Sequence, residues 1–313
     1  MRARSDGAPR LLKIAYLTGS VWRRGQLAPN GLPPPEVENY ERIAAAGAEL
    51  GLSFEIIRWE DEALLRAPPE AAVIRSCWDY PERSAQFMAR MEALEAAGVK
   101  LINPASIVRW NSRKTYLDDL AKAGADTIPT VFVNKCDALA VLRGFDTFDC
   151  AELVIKPQIG AGSRDTIRVR RNIWSEMDLP GAPQGPAMLQ PFLPAIETEG
   201  ERSLFYFGGQ FAYALRKTPA KGSWFANQED TRFERMDALS ADRALADRVI
   251  EASPKSIVYA RVDIVTGGIG APVLIELEAI EPHLFLGLAP EGAGLFVRAL
   301  AAALSPGAGV LGR

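Results

Sequence analysis

"VLIELEAIEPHLF", residues Val273 to Phe285, sets three carboxylates inside a run that otherwise reads as buried strand. Side chains alternate along a strand, so Glu276 and Glu278 share one face while Ile275 and Leu277 share the other. An unpaired charge on a buried face costs several kcal/mol, so this spacing needs a reason. The strand before it, "YARVDIV", has the same spacing, with Arg261 and Asp263 two apart. If the two strands pair, one face of a hairpin gathers Arg261, Asp263, Glu276 and Glu278. Carboxylates so close raise one another's pKa unless a multivalent cation sits among them. All-oxygen ligands on rigid strands suit Mg2+. The competing reading puts both glutamates on the solvated face of a half-buried sheet.

Composition narrows the function classes. The chain has 313 residues, 48% hydrophobic and 24% charged, which is enough for a sizeable core and, by length, two or three domains. A net charge of −3 leaves no footprint for nucleic acid or an anionic membrane. Cys77, Cys136 and Cys150 form no CxxC pair, and His283 is the single histidine. These exclude a disulfide framework, a two-histidine metal site and, with no GxSxG elbow, a serine hydrolase triad. No stretch reaches the roughly 18 apolar residues of a membrane span, and the N-terminal apolar run is short and broken by Lys13. A cytoplasmic protein is expected.

The first hundred residues alternate strand and helix patterns: "LKIAYLTG", "VENYERIAAAGAELG", "SFEIIRW", "AAVIRSCWDY", "RSAQFMARMEALEAAG" and "VKLIN". That order predicts a small parallel sheet covered by helices. From Asn111 the pattern changes. "NSRKTYLDDLAKAG" predicts one helix with Lys114 in its first turn, followed by the strand "IPTVFV". "ELVIKPQIGAGSRDTIRVRR" predicts two strands joined by a glycine-rich turn, and "AMLQPFL", "RSLFYF" and "QFAYALRK" are further strands. A helix over "DRALADRVIEA", the two carboxylate-bearing strands and a closing helix at "GAGLFVRALAAAL" complete an α+β second half.

Several further residues have the chemistry of an anion site. Lys156 ends a strand ahead of Gly160, Gly162 and Ser163, where backbone N–H groups can approach an anion. The segment lacks the GK[ST] ending of a Walker loop and the third glycine of a dinucleotide fingerprint. It reads as a β-hairpin flap. Lys114, Lys217, Gln190, Phe192, Leu193 and Glu201 are each unremarkable alone.

Their order along the chain resembles the ATP-grasp superfamily, the fold of glutathione synthetase and RimK-type ligases. The likeness spans Asn103 to Leu286. "RSCWDY", "LINPASIVRWNSRKTYLDDLAKAGADTIPT", "QPFL…EGERSLFYFGGQFAYALRK" and "YARVDIV…LIELEAIEPHLFL" are similar to the subgroup that includes the cycloserine-forming O-ureidoserine cyclo-ligase. The resemblance implies a Rossmann-like domain over 1–109, then an ATP-grasp fold of two α+β subdomains, a central lid over 110–187 and a C-terminal subdomain over 188–313. It implies ATP and Mg2+ as cofactors. Lys114 and Lys156 match the ATP-phosphate lysines, and Gly160, Gly162 and Ser163 the phosphate flap. Gln190, Phe192 and Leu193 match the adenine-reading hinge, and Glu201 a ribose-binding acid. Lys217 matches the basic residue near the transferred phosphoryl group, and Asp263, Glu276 and Glu278 match the Mg2+ ligands.

The activity so implied is activation of a small amino-acid-like carboxylate as an acyl phosphate, followed by attack of an amine. Such chemistry needs positioning and charge neutralisation more than a protein nucleophile. Arg261 is expected to hold the substrate carboxylate or the developing oxyanion. Intramolecular cyclisation, intermolecular ligation and nucleotide binding without ligation all remain open, as does a homodimer. The segment Trp224 to Asp237 departs from the subgroup, which has an Arg-x-Gln segment and a Gly-Gly pair there.

Overall fold

The computed structural model describes residues 11–21, 25–162, 164–175, 179, 181–225 and 231–305. The first unit is the expected parallel sheet: β1 (Leu12–Thr18), β2 (Leu52–Arg58), β3 (Ala71–Ser76) and β4 (Lys100–Ile102), in the order β2-β1-β3-β4. Helices α1 (Pro34–Glu49), α2 (Ala63–Arg66) and α3 (Ser84–Ala96) supply the crossovers. β3 is buried along its whole length, as a central parallel strand covered on both faces must be.

The helix expected over residues 111–124 is two helices. α4 (Ala105–Ser112) and α5 (Tyr116–Lys122) are separated by an extended Arg113, so Lys114 precedes α5 and does not sit in a helical first turn. The break has a structural use. The Lys114 N–H donates to the Gln158 carbonyl at 2.8 Å, tying the junction to the flap strand.

The middle sheet runs β5-β8-β6-β7, all antiparallel, from β5 (Val131–Val133), β6 (Glu152–Pro157), β7 (Ile167–Arg170) and β8 (Ala187–Pro191). The division expected at 187/188 therefore falls inside a strand of this sheet: β8 pairs with both β5 and β6. α6 (Ala138–Phe148) packs on the sheet in a segment to which the sequence reading assigns no element. Asp137 caps it by accepting from the Ala140 N–H at 2.9 Å. Gly144 weakens its helical signal, yet a Cβ there would lie 2.8 Å from Leu189, so close packing on β8 excludes a side chain.

The last sheet, β11-β10-β9-β12-β13, is antiparallel and contains β9 (Glu201–Phe207), β10 (Gln210–Thr218), β11 (Arg232–Met236), β12 (Tyr259–Thr266) and β13 (Pro272–Glu278). α7 (Ala195–Thr198) leads into it, and α8 (Ser240–Ala252) and α9 (Glu291–Leu304) cover opposite faces. Phe296, Val297 and Leu300 of α9 join one apolar cluster with Ile14 and Tyr16 of β1 and Phe205 and Tyr259 of the last sheet. This shared core fixes the first unit against the last.

Two asparagines hold the strand ends that carry the carboxylates. Asn111 of α4 donates to the Leu277 carbonyl and accepts from the Ala279 N–H, each at 2.8 Å. Asn103 donates to the carbonyls of Tyr259 at 2.9 Å and Ala279 at 2.8 Å and accepts from the Val258 N–H at 2.5 Å. Both are buried, so nothing else replaces these bonds. Asn103→Ala leaves three backbone groups without partners, and a stability loss of about 3 kcal/mol is expected from denaturant unfolding.

Candidate active site

The register of β12 on β13 builds the site. Arg261 lies opposite Glu278 and Asp263 opposite Glu276, with a bulge directly after Asp263. Ligand oxygens of Asp263, Glu276 and Glu278 lie within 4.8 Å of one another. The gathering expected from the spacing is therefore present. Asp263 is 2% exposed, whereas the side chains of Glu276 and Glu278 are 29% and 28% exposed, facing a cleft and not open solvent.

Every one of these charges has a side-chain partner. Lys114 Nζ donates to Glu276 Oε1 at 2.6 Å and to the Gly160 carbonyl at 3.1 Å. Arg261 grips Asp263 through Nε at 2.9 Å and Nη2 at 2.8 Å, and the same Nη2 also bonds Glu278. Lys217, 3% exposed, bonds Glu201 and lies 3.3 Å from Asp263, which also accepts from Ser203 Oγ at 2.5 Å. Lys156 is different: it lines the same cleft and has no ion pair within 4.0 Å among the described residues. Burial lowers its pKa, as expected for a cation awaiting an anion.

Burial and pairing push the carboxylates apart. Burial works against the Asp263 anion, but Arg261 and Lys217 outweigh it and hold the carboxyl well below its ordinary range. Lys114 and Lys156 likewise hold Glu276 down against burial. For Glu278 burial wins over Arg261, with Glu276 adding repulsion, and the group is pushed up to about 7. That is a cluster short of positive charge.

The remaining candidates line the same cleft. Gly160 and Gly162 form its flap edge, with Gly162 at φ +65°, a conformation that favours glycine. Ser163 lies outside the described residues. Arg164, just past it, is paired with Glu82 of the first unit. Gln190, Phe192 and Leu193 form the opposite wall. Gln190 Nε2 donates to Thr130 Oγ1 at 2.9 Å, while its Oε1 is buried without a partner. Phe192 is stacked under the Arg168 guanidinium, 3.5 Å from its ring centre. Its N–H is spent on the Glu152 carbonyl, whereas no acceptor takes the Leu193 N–H among the described residues. Of the departing segment, residues 226–230 lie outside the described residues, and Arg232–Met236 forms β11 on the edge of the last sheet.

Sequence reasoning assigned no role to several polar residues of the cleft wall, among them Tyr80, Asn111, Arg164, Thr166 and Glu281. Glu281 stood in the opening stretch with no role assigned. Its signal was its distance of three from Glu278, off the shared strand face.

Residues 14–103 match the family described as D-cycloserine synthetase DcsG, N-terminal domain. The cycloserine biosynthesis protein DcsG of Streptomyces lavendulae is 34% identical over 273 residues, covering 82% of this chain and 91% of that protein. The chain belongs to the DcsG family. The crystal structure of D-cycloserine synthetase DcsG matches at a TM-score of 0.79 and 30% identity, covering 94% of this chain and 100% of that one. The ATP-grasp ligase PsnB complexed with minimal precursor, Mg and ADP matches at 0.61 with 18% identity, covering 93% and 98%. D-alanine–D-alanine ligase from Bacillus anthracis complexed with ATP matches at 0.65 with 15% identity, covering 94% and 97%. These last two share the fold with this DcsG-family chain, which is the ATP-grasp fold.

No described helix of this DcsG-family chain is long and apolar enough to cross a membrane. Its cleft has a pH signature when nothing is bound. Glu278 holds its proton up to about 7 in the folded chain, against an ordinary 4.5. Burial raises Glu201 and Glu281 in the same direction, while the burial-lowered His283 acts in the opposite sense. Between 4.5 and about 7 the folded state carries the extra proton of Glu278, so its contribution is full below 4.5 and lost as pH rises through about 7. Calorimetric melting without metal or nucleotide should show stability falling across that window, with a smaller fall in Glu278→Gln.

Proposed function

We propose that this chain is an ATP- and Mg2+-dependent cyclo-ligase. It activates the carboxylate of a small amino-acid-like molecule as an acyl phosphate and closes a C–N bond with an amine of the same molecule. The observation that carries this reading is one cleft in which Asp263, Glu276 and Glu278 face Lys114, Lys156, Lys217 and Arg261. Membership of the DcsG family supports the ligase class, and the name of its relative, D-cycloserine synthetase, supports ring closure over joining two molecules.

The donor set fits the metal. Three carboxylates within 4.8 Å, two of them partly exposed to the cleft, offer hard oxygen ligands, and Mg2+ takes one or two of these beside water and phosphate oxygens. The opposite wall fits a nucleotide: the Leu193 N–H and Gln190 Oε1 are unclaimed, and Ile128, Val154 and Ile275 line an apolar slot beside them. Bound ATP supplies the γ-phosphoryl group that makes the carboxylate reactive, and Mg2+ neutralises the phosphate charge.

The chain's own residues position and neutralise. Lys156 is the first cation available to phosphate, because it has no carboxylate to leave. Lys114 and Lys217 are held ready by Glu276 and Glu201 and supply further positive charge. Arg261 is fixed by Asp263 and Glu278, so it presents a planar donor set without further ordering and suits a carboxylate or an oxyanion. The flap, joined to the first unit through Arg164 and Glu82, covers the cleft and limits water, which would otherwise hydrolyse an acyl phosphate.

ADP release from ATP and Mg2+ is the test, run over a panel of amino acids including O-ureidoserine, singly and in pairs. A single compound sufficing for turnover is the expected result. Glu276→Gln should lower kcat about a hundredfold or more, since it removes a ligand at the metal cluster. A requirement for two amino acids would point to intermolecular ligation, and nucleotide binding without ADP from any compound would contradict the ligase reading.

A further inference from the structure

Five carboxylates line the cleft: Glu201, Asp263, Glu276, Glu278 and Glu281. Four are paired with a lysine or arginine, Glu201 and Asp263 with Lys217, Glu276 with Lys114, and Glu278 with Arg261. Glu281 is the exception. It is 8% exposed, and its carboxylate has no ion pair or hydrogen bond among the described residues. It also stands outside the three-carboxylate cluster, whose ligand atoms are those of Asp263, Glu276 and Glu278.

Its position is not loose. Trp78 Nε1 donates to the Glu281 carbonyl at 3.1 Å, and Arg75 Nη2 donates to the next carbonyl, Pro282, at 2.6 Å. Arg75 is fully buried, with its guanidinium 5.5 Å from the Tyr259 ring centre and 5.4 Å from that of Phe296. The first unit therefore grips the backbone at Glu281 and at the residue after it, while Tyr259 of β12 donates to the carbonyl before it, Ile280, at 2.9 Å, and the side chain is held at the cleft. The Glu281 carboxylate oxygens are not among the fully buried atoms, so the acid reaches the cleft, and its charged form, disfavoured by burial and by Glu278, is stabilised when a cation meets it there. Burial, and then Glu278, push its pKa well above the carboxylate range.

We propose that the Glu281 carboxylate is the seat for the ammonium group of the amino-acid-like substrate. The inference rests on the ligase reading above and specifies its substrate: a molecule with a free primary amine besides the groups that react. A metal ion is a poorer occupant, because Glu281 lies apart from the oxygen cluster and Lys114, which lines the same cleft, is committed to Glu276 and the Gly160 carbonyl. Tyr80, 4% exposed and on the same wall, gives the ammonium a second neighbour. Tyr80 precedes and Glu281 follows the strands that hold the metal cluster, so the seat is built jointly by the first unit and the end of β13.

The test compares O-ureidoserine with 3-(ureidooxy)propanoate, the same molecule lacking the amine, by kcat/KM for ADP release. The ratio between the two compounds does not depend on how much enzyme is folded. The wild-type chain should prefer the amine-bearing compound about tenfold to a hundredfold, the range of a hydrogen bond to a charged group. Glu281→Gln should lose that preference chiefly through KM, and Glu281→Asp should keep part of it. Equal use of both compounds by the wild-type chain, or an undiminished preference in Glu281→Gln, overturns the inference while ADP release continues. No ADP from either compound, with ATP and Mg2+ still bound, overturns the ligase reading and the inference together.

Discussion

Pairing of β12 with β13 sets like charges together on one face of a sheet whose other face is core. Such an arrangement is unstable by itself, because three carboxylates within 4.8 Å repel one another in a partly buried cleft. Cations drawn from distant parts of the chain stabilise it. Lys114 comes from the junction of α4 and α5, Lys217 from β10 and Arg261 from β12 itself, while Lys156 stands by on β6. Lys114 and Glu276 are 162 residues apart in sequence, so their contact forms only when the α4–α5 junction is docked on the last sheet. The site is a product of how the units meet.

The same cations that neutralise the carboxylates are the ones a nucleotide's phosphates require. Within the chain the two needs are met by each other, carboxylate by lysine or arginine. In the proposed reading, phosphates that attract Lys114 or Lys217 leave Glu276 and Asp263 short of positive charge, and a divalent cation restores the balance. Under the proposed ligase reading, metal and nucleotide favour one another's binding through exchange of partners, and the coupling is reciprocal. Burial pushes Glu278 up to about 7 despite Arg261, so the chain's own cations compensate the three carboxylates incompletely.

Much of this was legible in the sequence because strand spacing is rigid. Arg261 with Asp263 and Glu276 with Glu278, two apart in neighbouring apolar runs, each share a face by strand spacing alone, and the pairing left conditional in the sequence is present in the structure. The parallel first unit was equally plain, since helix and strand periods alternate there without interruption. Other features were hidden for physical reasons. α6 was lost behind Gly144, a residue required by packing on Leu189 that reads as a helix breaker. The turn between α4 and α5 was hidden because helical residues continue through it, and a tertiary bond from Lys114 to Gln158 interrupts them. Glu281 was visible, but its lack of a partner is a fact of three-dimensional burial that no spacing reveals.

Exchange of partners in the cleft is tested most directly by anomalous scattering from Mn2+ in crystals grown with a non-hydrolysable ATP analogue. Mn2+ bridging phosphate oxygens to Asp263, Glu276 and Glu278, with Lys114 and Lys156 on the phosphates and the Lys114–Glu276 contact broken, is the expected result. Metal bound elsewhere, with Lys114 still on Glu276 beneath the nucleotide, would contradict it.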